Sequence, residues 1–559
     1  MVFPYRVLAF VLLLVISSCS MALAYSSVNV PLGDWSYEAL DRLEGFGLVH
    51  SALHGTRPYS RLEMARLIHE AHTEKEIQGI KLPSLIEELL RDLDREFRQE
   101  LPLVGKTTDI LQKSFIKPLN TAQMQYVYSD GTPRAFINTV GHRQDLPSTA
   151  SIVATEGTPL VYNNNGLLYG QGNNLSLQFS SILGYRDFFS AYIEPFVIIR
   201  QNAPGFENIS GVPANLQPTG FQNASDTTVN LLYGYGALTA WNTEIEFGRD
   251  SMWWGQGAHG DEIMTNNAFP LDLVKLSNPE PTLLPWIFKY LGPFKYVFFV
   301  SKEFGYETPA NANLMGFRIN FKPSAIFEMG FSSVYQFGGQ GMPPVNWQDF
   351  FRFFNGKSLP NANQLNAFDF RLNVPWLRNT QLYWEYGGED SGFGDYQNPW
   401  NIIMKDIAWM VGVYCPSITE DGRLDWRLEY TGNYYPTDAT PGMWYAHNQY
   451  KSGYTHDDMI MGHHMGPDAE DVFTRSTYYL TNSIQLGLDY DYMVRGVMLG
   501  VNLPDEIVRQ YGADLTFNFQ KRAFSVTTRY GFETVENFNK QLGDYRRAHL
   551  FETTIKLQF

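Results

Sequence analysis

Over most of its length the chain alternates. From about residue 116 onward apolar and polar side chains change places position by position, as in Leu424, Trp426, Leu428 and Tyr430 against Asp425, Arg427, Glu429 and Thr431. The same period of two runs through Phe368, Phe370, Leu372 and Val374, set against Asp369, Arg371 and Asn373. It returns in Leu515, Phe517 and Phe519, against Asp514, Thr516, Asn518 and Gln520. Further stripes lie at 175–183, 241–247, 325–337 and 380–387. Successive side chains of a strand point to opposite faces, so each stripe predicts a strand with one greasy and one wet side. The last residues read the same way, with Phe551, Thr553, Ile555, Leu557 and Phe559 on one face and Glu552, Thr554, Lys556 and Gln558 on the other. A final strand closing on an aromatic is expected of an outer-membrane barrel, whose assembly machinery reads that strand.

Before residue 112 the period is 3.6 instead. Asp34 is placed to cap a helix through Tyr37, Leu40 and Leu43, with Gly45 and Gly47 near its end. Ser60 and Glu63 form an S-x-x-E capping box for a second helix whose apolar face is Leu62, Ala65, Leu67 and Ile68. A third follows Pro83, with Leu85, Leu89, Leu93 and Phe97 one above another. The segment from Trp35 to Ala71 resembles one S-layer homology unit, through Asp34-Trp35, Gly47-Leu48-Val49, Arg57-Pro58 and Ser60-Arg61-Leu62-Glu63. Such units normally act in sets of three, and a single copy points to a helical periplasmic module.

Two packed soluble sheets would also alternate. Three features favour a barrel. The apolar residues are large and often aromatic, the polar ones carry both signs of charge, and short turns such as Gly184-Tyr185-Arg186-Asp187 mix with long polar connections at 201–227, 339–365 and 433–475. Aromatics at 15% and charged residues at only 18% suit aromatic girdles around a wet interior. Counting stripes gives about 16–18 strands, an even number by the rule for bacterial barrels. The expected architecture is mainly β: a large antiparallel transmembrane barrel over 113–559, a small α-helical module over 25–112, and a signal peptide over 1–24.

That signal has Arg6, an apolar core from Val7 to Ile16, and an A-x-A site at Ala22-Leu23-Ala24. A lipoprotein signal ending at Cys19 is the competing reading. No other run approaches the length of a membrane helix, so a membrane-embedded chain must cross as strands. Beyond Cys19 the only cysteine is Cys415, which excludes an intramolecular disulfide in the processed chain. A net charge of −16 argues against nucleic acid, whose phosphates call for Lys and Arg.

The most unusual stretch is Phe247-Gly248-Arg249-Asp250-Ser251-Met252-Trp253-Trp254-Gly255-Gln256-Gly257, running on through His259-Gly260 to Asn266-Asn267-Ala268-Phe269-Pro270. It resembles the signature region of the Wzi capsule-assembly family of outer-membrane proteins. Gly462-His463-His464-Met465-Gly466-Pro467-Asp468 resembles a later motif of that family. The resemblance covers most of the chain from about residue 116. It implies an 18-stranded barrel acting as a lectin, neither an enzyme nor an open pore, that holds capsular polysaccharide on the cell surface. The S-layer-like module departs from the pattern and leaves the polymer open between capsule and another exopolysaccharide.

Sugar rings stack on aromatic faces while their hydroxyls need carboxylate, amide and guanidinium partners. Arg249, Asp250, Trp253, Trp254 and Gln256 offer both, as do Tyr434, Tyr435, Trp444 and Tyr445, with His447 and Asn448 alongside. Tryptophans near strand ends also serve as interface anchors. Catalytic patterns fail: His69-Glu70-Ala71-His72 lacks the zincin spacing, and no P-loop, nucleophile elbow or CxxC is present. Glu244 and Glu246 face one way and are expected to line the lumen, although paired carboxylates also serve glycosidases. His456, Asp457, Asp458, His463 and His464 form a His/Asp cluster that could bind a metal, but in a glycine-rich loop they are expected to be solvated. No cofactor or metal ligand set is expected. The expected partners are extracellular polysaccharide, outer-membrane lipid and lipopolysaccharide, and the barrel-assembly machinery, around a monomer. A porin-like channel for small solutes is the alternative.

Overall fold

The structure, a computed structural model, describes residues 25–104, 114–139, 151–204, 226–303, 307–344, 361–395, 398–434, 444–497 and 504–559. The expected signal peptide, Tyr435 and most of the 201–227 and 339–365 connections lie outside these residues.

Eighteen antiparallel strands close into a barrel. In chain order they are β1 (Phe115–Ser129), β2 (Gly172–Tyr185), β3 (Phe189–Arg200), β4 (Thr227–Ala240), β5 (Thr243–Asp250) and β6 (Leu271–Ser277). Then come β7 (Pro293–Lys302), β8 (Asn313–Ser324), β9 (Phe327–Phe337), β10 (Asn363–Val374), β11 (Thr380–Asp395) and β12 (Asn398–Cys415). The set ends with β13 (Leu424–Gly432), β14 (Ala469–Thr481), β15 (Ile484–Arg495), β16 (Glu506–Phe519), β17 (Phe524–Glu536) and β18 (Tyr545–Gln558). Each pairs with its neighbour in sequence, and β18 closes on β1 with Tyr126 opposite Thr553.

Burial runs opposite to that of a soluble sheet. Ile193, Ile245, Phe247, Val274, Val411 and Leu488 stand exposed on the outer face, while Glu244, Glu246, Lys275, Asp369 and Glu429 on the alternate positions are buried. Polar-in and apolar-out is the arrangement for which lipid, not water, is the outer solvent. Trp241, Trp286 and Trp376 are 64%, 82% and 87% exposed and all sit in connections at the short-turn end. They have the position of interface anchors. Trp241 was expected to start a strand; with Asn242 it instead makes the tight β4–β5 turn, both residues having positive φ, and β5 runs on to Asp250.

The N-terminal segment folds as three helices, α1 (Trp35–Gly45), α2 (Arg61–Gln78) and α3 (Ser84–Glu96), around Leu40, Leu43, Ile68, Leu89 and Phe97. The caps read from sequence are present: Asp34 accepts from the Ser36 amide and Ser60 from the Glu63 amide, both at 3.0 Å. The capping box closes on one side only. Glu63 turns away from the helix to an ion pair with Lys295 on β7.

That pairing shows where the module sits. It docks into the short-turn end of the barrel. Arg42 reaches Asp425 and the Gly422 carbonyl, each at 2.6 Å; Arg522 meets Asp92 at 3.1 Å; Lys556 meets Asp34 at 3.2 Å. Burial alone would raise the Glu44 carboxyl, but His54, Lys322 and the surrounding donors outweigh it and hold the group well below the usual carboxylate range. From the other end the 251–270 connection and the described part of the 433–475 connection fold inward. This overturns the expectation of a solvated loop: His456, Asp458, His463 and His464 are buried, and only Asp457 remains exposed.

Candidate functional site

The two inward-folding parts meet inside the barrel. Thr56–Arg57 of the module and Trp253–Trp254 of the opposite connection form a two-stranded antiparallel sheet, Thr56 opposite Trp254. Gly55 allows the approach, since a Cβ there would strike the Arg318 guanidinium and the Gln256 amide. Gly255 follows with φ +131°, a conformation that disfavours any side chain, and packs against Asp261 and Glu385.

Gln256 is the hub below this sheet. Its amide nitrogen donates to Asp369 at 2.6 Å and Glu328 at 3.1 Å, and its side-chain oxygen accepts from Arg371 at 2.7 Å. Arg318 holds Asp369 in a two-pronged pair at 2.8 and 2.9 Å and donates to Thr56 at 2.8 Å. Glu328 accepts the backbone amides of His54 and Gly55 at 3.0 and 2.9 Å. Charges from β8, β9 and β10 are thus neutralised by one another and by the plug. The alternation that wrote Asp369 and Arg371 onto the wet face placed them here.

Trp254 belongs to the same buried cluster as Trp444 and Tyr445, so the two sequence-selected groups do converge. They converge as buried side chains. Trp254, Trp444, Tyr445 and Gln256 are at most 1% exposed. The Tyr445 hydroxyl donates to Glu262 and accepts from the His463 amide at 2.8 Å. The Trp253 indole donates to Asp261 and its ring lies under Arg57. Burial raises the Asp261 carboxyl and pushes Glu262 up to about 8. Asp250 is bound into a wall cluster, with Asn29 at 2.9 Å and Lys275 at 3.4 Å, and Lys275 also holds Glu246 at 2.7 Å. Glu244 and Glu246 line the lumen as expected.

Two of the nine residues stand apart. Arg249 shares the face of Ile245 and Phe247, pairs with Asp272 at 2.7 Å and lies over Phe269. Tyr434 is half-buried, and with Tyr430 it donates to Glu470, at 3.1 and 2.9 Å. In the module, Glu70 accepts the amides of His50 and Ser51, and His72 meets Asp94 at 2.7 Å; both are packing contacts. Sequence reasoning did not select Arg318, Glu328 or Asp261. Their one signal is a charge on the wet side of a stripe, or within a glycine-rich connection.

Comparison with known proteins places this architecture. Over 172 residues the chain is 31% identical to an uncharacterized 55.8 kDa protein in the cps region of Klebsiella pneumoniae, a match spanning 28% of this chain and 33% of that relative. The chain therefore spans about a third of the length of the curated relative it matches. Its fold superposes on Wzi of Escherichia coli, an outer-membrane protein involved in group 1 capsule assembly and a carbohydrate-binding β-barrel. The TM-score is 0.66 at 19% identity, covering 96% of this chain and 100% of that one. The family described as Capsule assembly protein Wzi matches residues 142–550, most of the barrel and both glycine-rich motifs, and the chain belongs to that family.

Proposed function

We propose that this protein is a plugged outer-membrane anchor that binds capsular or another extracellular polysaccharide and helps assemble it at the cell surface. The observation that carries the reading is the Thr56–Trp254 pairing, because a lumen filled from both ends suits an anchor better than a channel. By the usual asymmetry of such barrels the short turns and the helical module face the periplasm and the long connections face outward. Lipid and lipopolysaccharide then cover the apolar outer face. Binding is non-covalent and needs no catalytic group: many weak stacking and hydrogen-bonding contacts to a repeating polymer sum through multivalency.

Of the sequence-selected residues, Arg249 and Tyr434, with the adjacent Tyr435, are the ones we assign to polymer contact. Asp250, Trp253, Trp254, Gln256, Trp444 and Tyr445 serve by holding the plug. The test is retention of polymer, isolated from the parent strain, on the immobilised protein. Wild type retains it, and Arg249→Ala with Tyr434→Ala weakens retention several-fold. Passage of polymer as freely as over an unrelated barrel defeats the reading.

A further inference from the structure

Four buried side chains converge where the inward-folding connections meet the wall. Asp471 on β14 and Asp491 on β15 project from neighbouring strands, His259 comes from the 251–270 connection and His464 from the 444–468 stretch. One ligand atom from each lies within 4.8 Å of all the others. The His259 Nε2 is 3.3 Å from Asp491 and 3.7 Å from Asp471, and the His464 Nε2 is 3.7 Å from Asp471. Bonds of about 2.0–2.2 Å from a tetrahedral ion to nitrogen and oxygen ligands place those ligands about 3.3–3.6 Å apart. Those three spacings are close to the edges of such a tetrahedron, and the remaining pairs lie within 4.8 Å.

A second observation points the same way. The His259 Nε2, both ring nitrogens of His464, one Asp471 oxygen and both Asp491 oxygens have no hydrogen-bond partner among the described residues, and all are buried. A protonated His259 would answer one carboxylate and leave the other, and both His464 nitrogens, unmatched. Polar groups buried without partners are costly, and a divalent cation on two carboxylates and two neutral imidazoles balances the charge. The rings are already held. His259 lies flat on Phe473 at 3.7 Å between centroids, His464 stacks on Tyr162 at 4.3 Å, and Glu429 accepts the His259 amide at 2.9 Å.

We infer that His259, His464, Asp471 and Asp491 form a structural site for a divalent transition ion, of the zinc class, that staples two lumen-filling connections to the barrel wall. Calcium and magnesium fit poorly, since they want six or more oxygen ligands. Nitrogen and carboxylate together suit zinc and its neighbours. Four protein ligands complete a tetrahedral shell, so the ion's effect is to lock the plug.

The test uses the full chain in detergent, stripped with a chelator and then titrated with zinc or cobalt(II). The expected result is one equivalent bound, a rise in the temperature at which the barrel loses its heat-resistant gel mobility, and the strong visible bands of tetrahedral cobalt(II). His464→Phe keeps the stack on Tyr162 but removes the nitrogens, and Asp491→Asn keeps the shape; each is expected to weaken binding at least tenfold. Uptake far below one equivalent by the wild type overturns the inference, as does stoichiometric binding by the variant that combines His464→Phe with Asp491→Asn. Should a variant fail to show folded mobility, the wild-type stoichiometry and cobalt spectrum decide alone.

Discussion

Arg318 on the barrel wall donates to Thr56 of the N-terminal module at 2.8 Å while gripping Asp369 with its other nitrogens. One side chain therefore joins wall neutralisation to plug position. A barrel interior must satisfy charges of both signs without bulk water, and here the chain's own termini-proximal segment supplies part of the answer.

Replacing Arg318 by alanine leaves Asp369 buried beside Glu328 without its cation. Breaking a buried pair from one side costs about 3–5 kcal/mol. The expected outcome is a lower melting temperature of folded gel mobility. Ion conductance in planar bilayers is expected to be small for the wild type and to rise as the plug loosens in the variant.

Arg42→Ala tests docking at the short-turn end. The variant strands Asp425, frees the Gly422 carbonyl and removes the guanidinium from the Tyr479 ring. A cost again on the order of 3–5 kcal/mol is expected, read as protease cleavage within 25–104 while the barrel itself stays folded.

Acidity should tighten the lumen connections. Burial pushes Glu262 and Glu303 up to about 8, so the folded protein holds these protons more tightly than the unfolded chain does. That contribution is fully present below the ordinary glutamate range and is lost as pH rises through about 8. Glu44 has the opposite sign, its contribution failing only as pH falls below the ordinary range. Tryptophan-detected melting should therefore be higher near about pH 5 than near about pH 8. Glu262→Gln should reduce that difference, and an unchanged slope would show that Glu262 is not its source.

Gly255→Ala places a side chain at φ +131° against Asp261 and Glu385. Strain of about 1–3 kcal/mol is expected, appearing as reduced thermal stability, whereas alanine at Gly33, which has open space and no positive φ, is expected to be tolerated.

The barrel was legible because strand alternation is a local signal: Asp425, Glu429 and Asp369 fell on the wet face and are buried, while Leu424 and Phe370 fell on the other. The helices were legible for the same reason, through Asp34, Ser60 and the Leu85–Leu89–Leu93 ridge. What failed was long-range. Nothing adjacent to Glu63 announces Lys295, and nothing near Thr56 announces Trp254. Polar glycine-rich stretches read as solvated loops because the groups they pack beside, such as Asp471 at 3.7 Å from His464, come from distant strands. The Wzi resemblance correctly gave the family, while Trp253 and Trp254, which carried it, lie buried inside the barrel.

The most direct measurement is the distribution of polymer between cells and medium in a strain lacking this gene. Retention at the surface predicts that synthesis continues and polymer is shed into the medium, with the wild-type gene restoring attachment. Polymer that stays cell-bound in the deletion strain would contradict the proposed role.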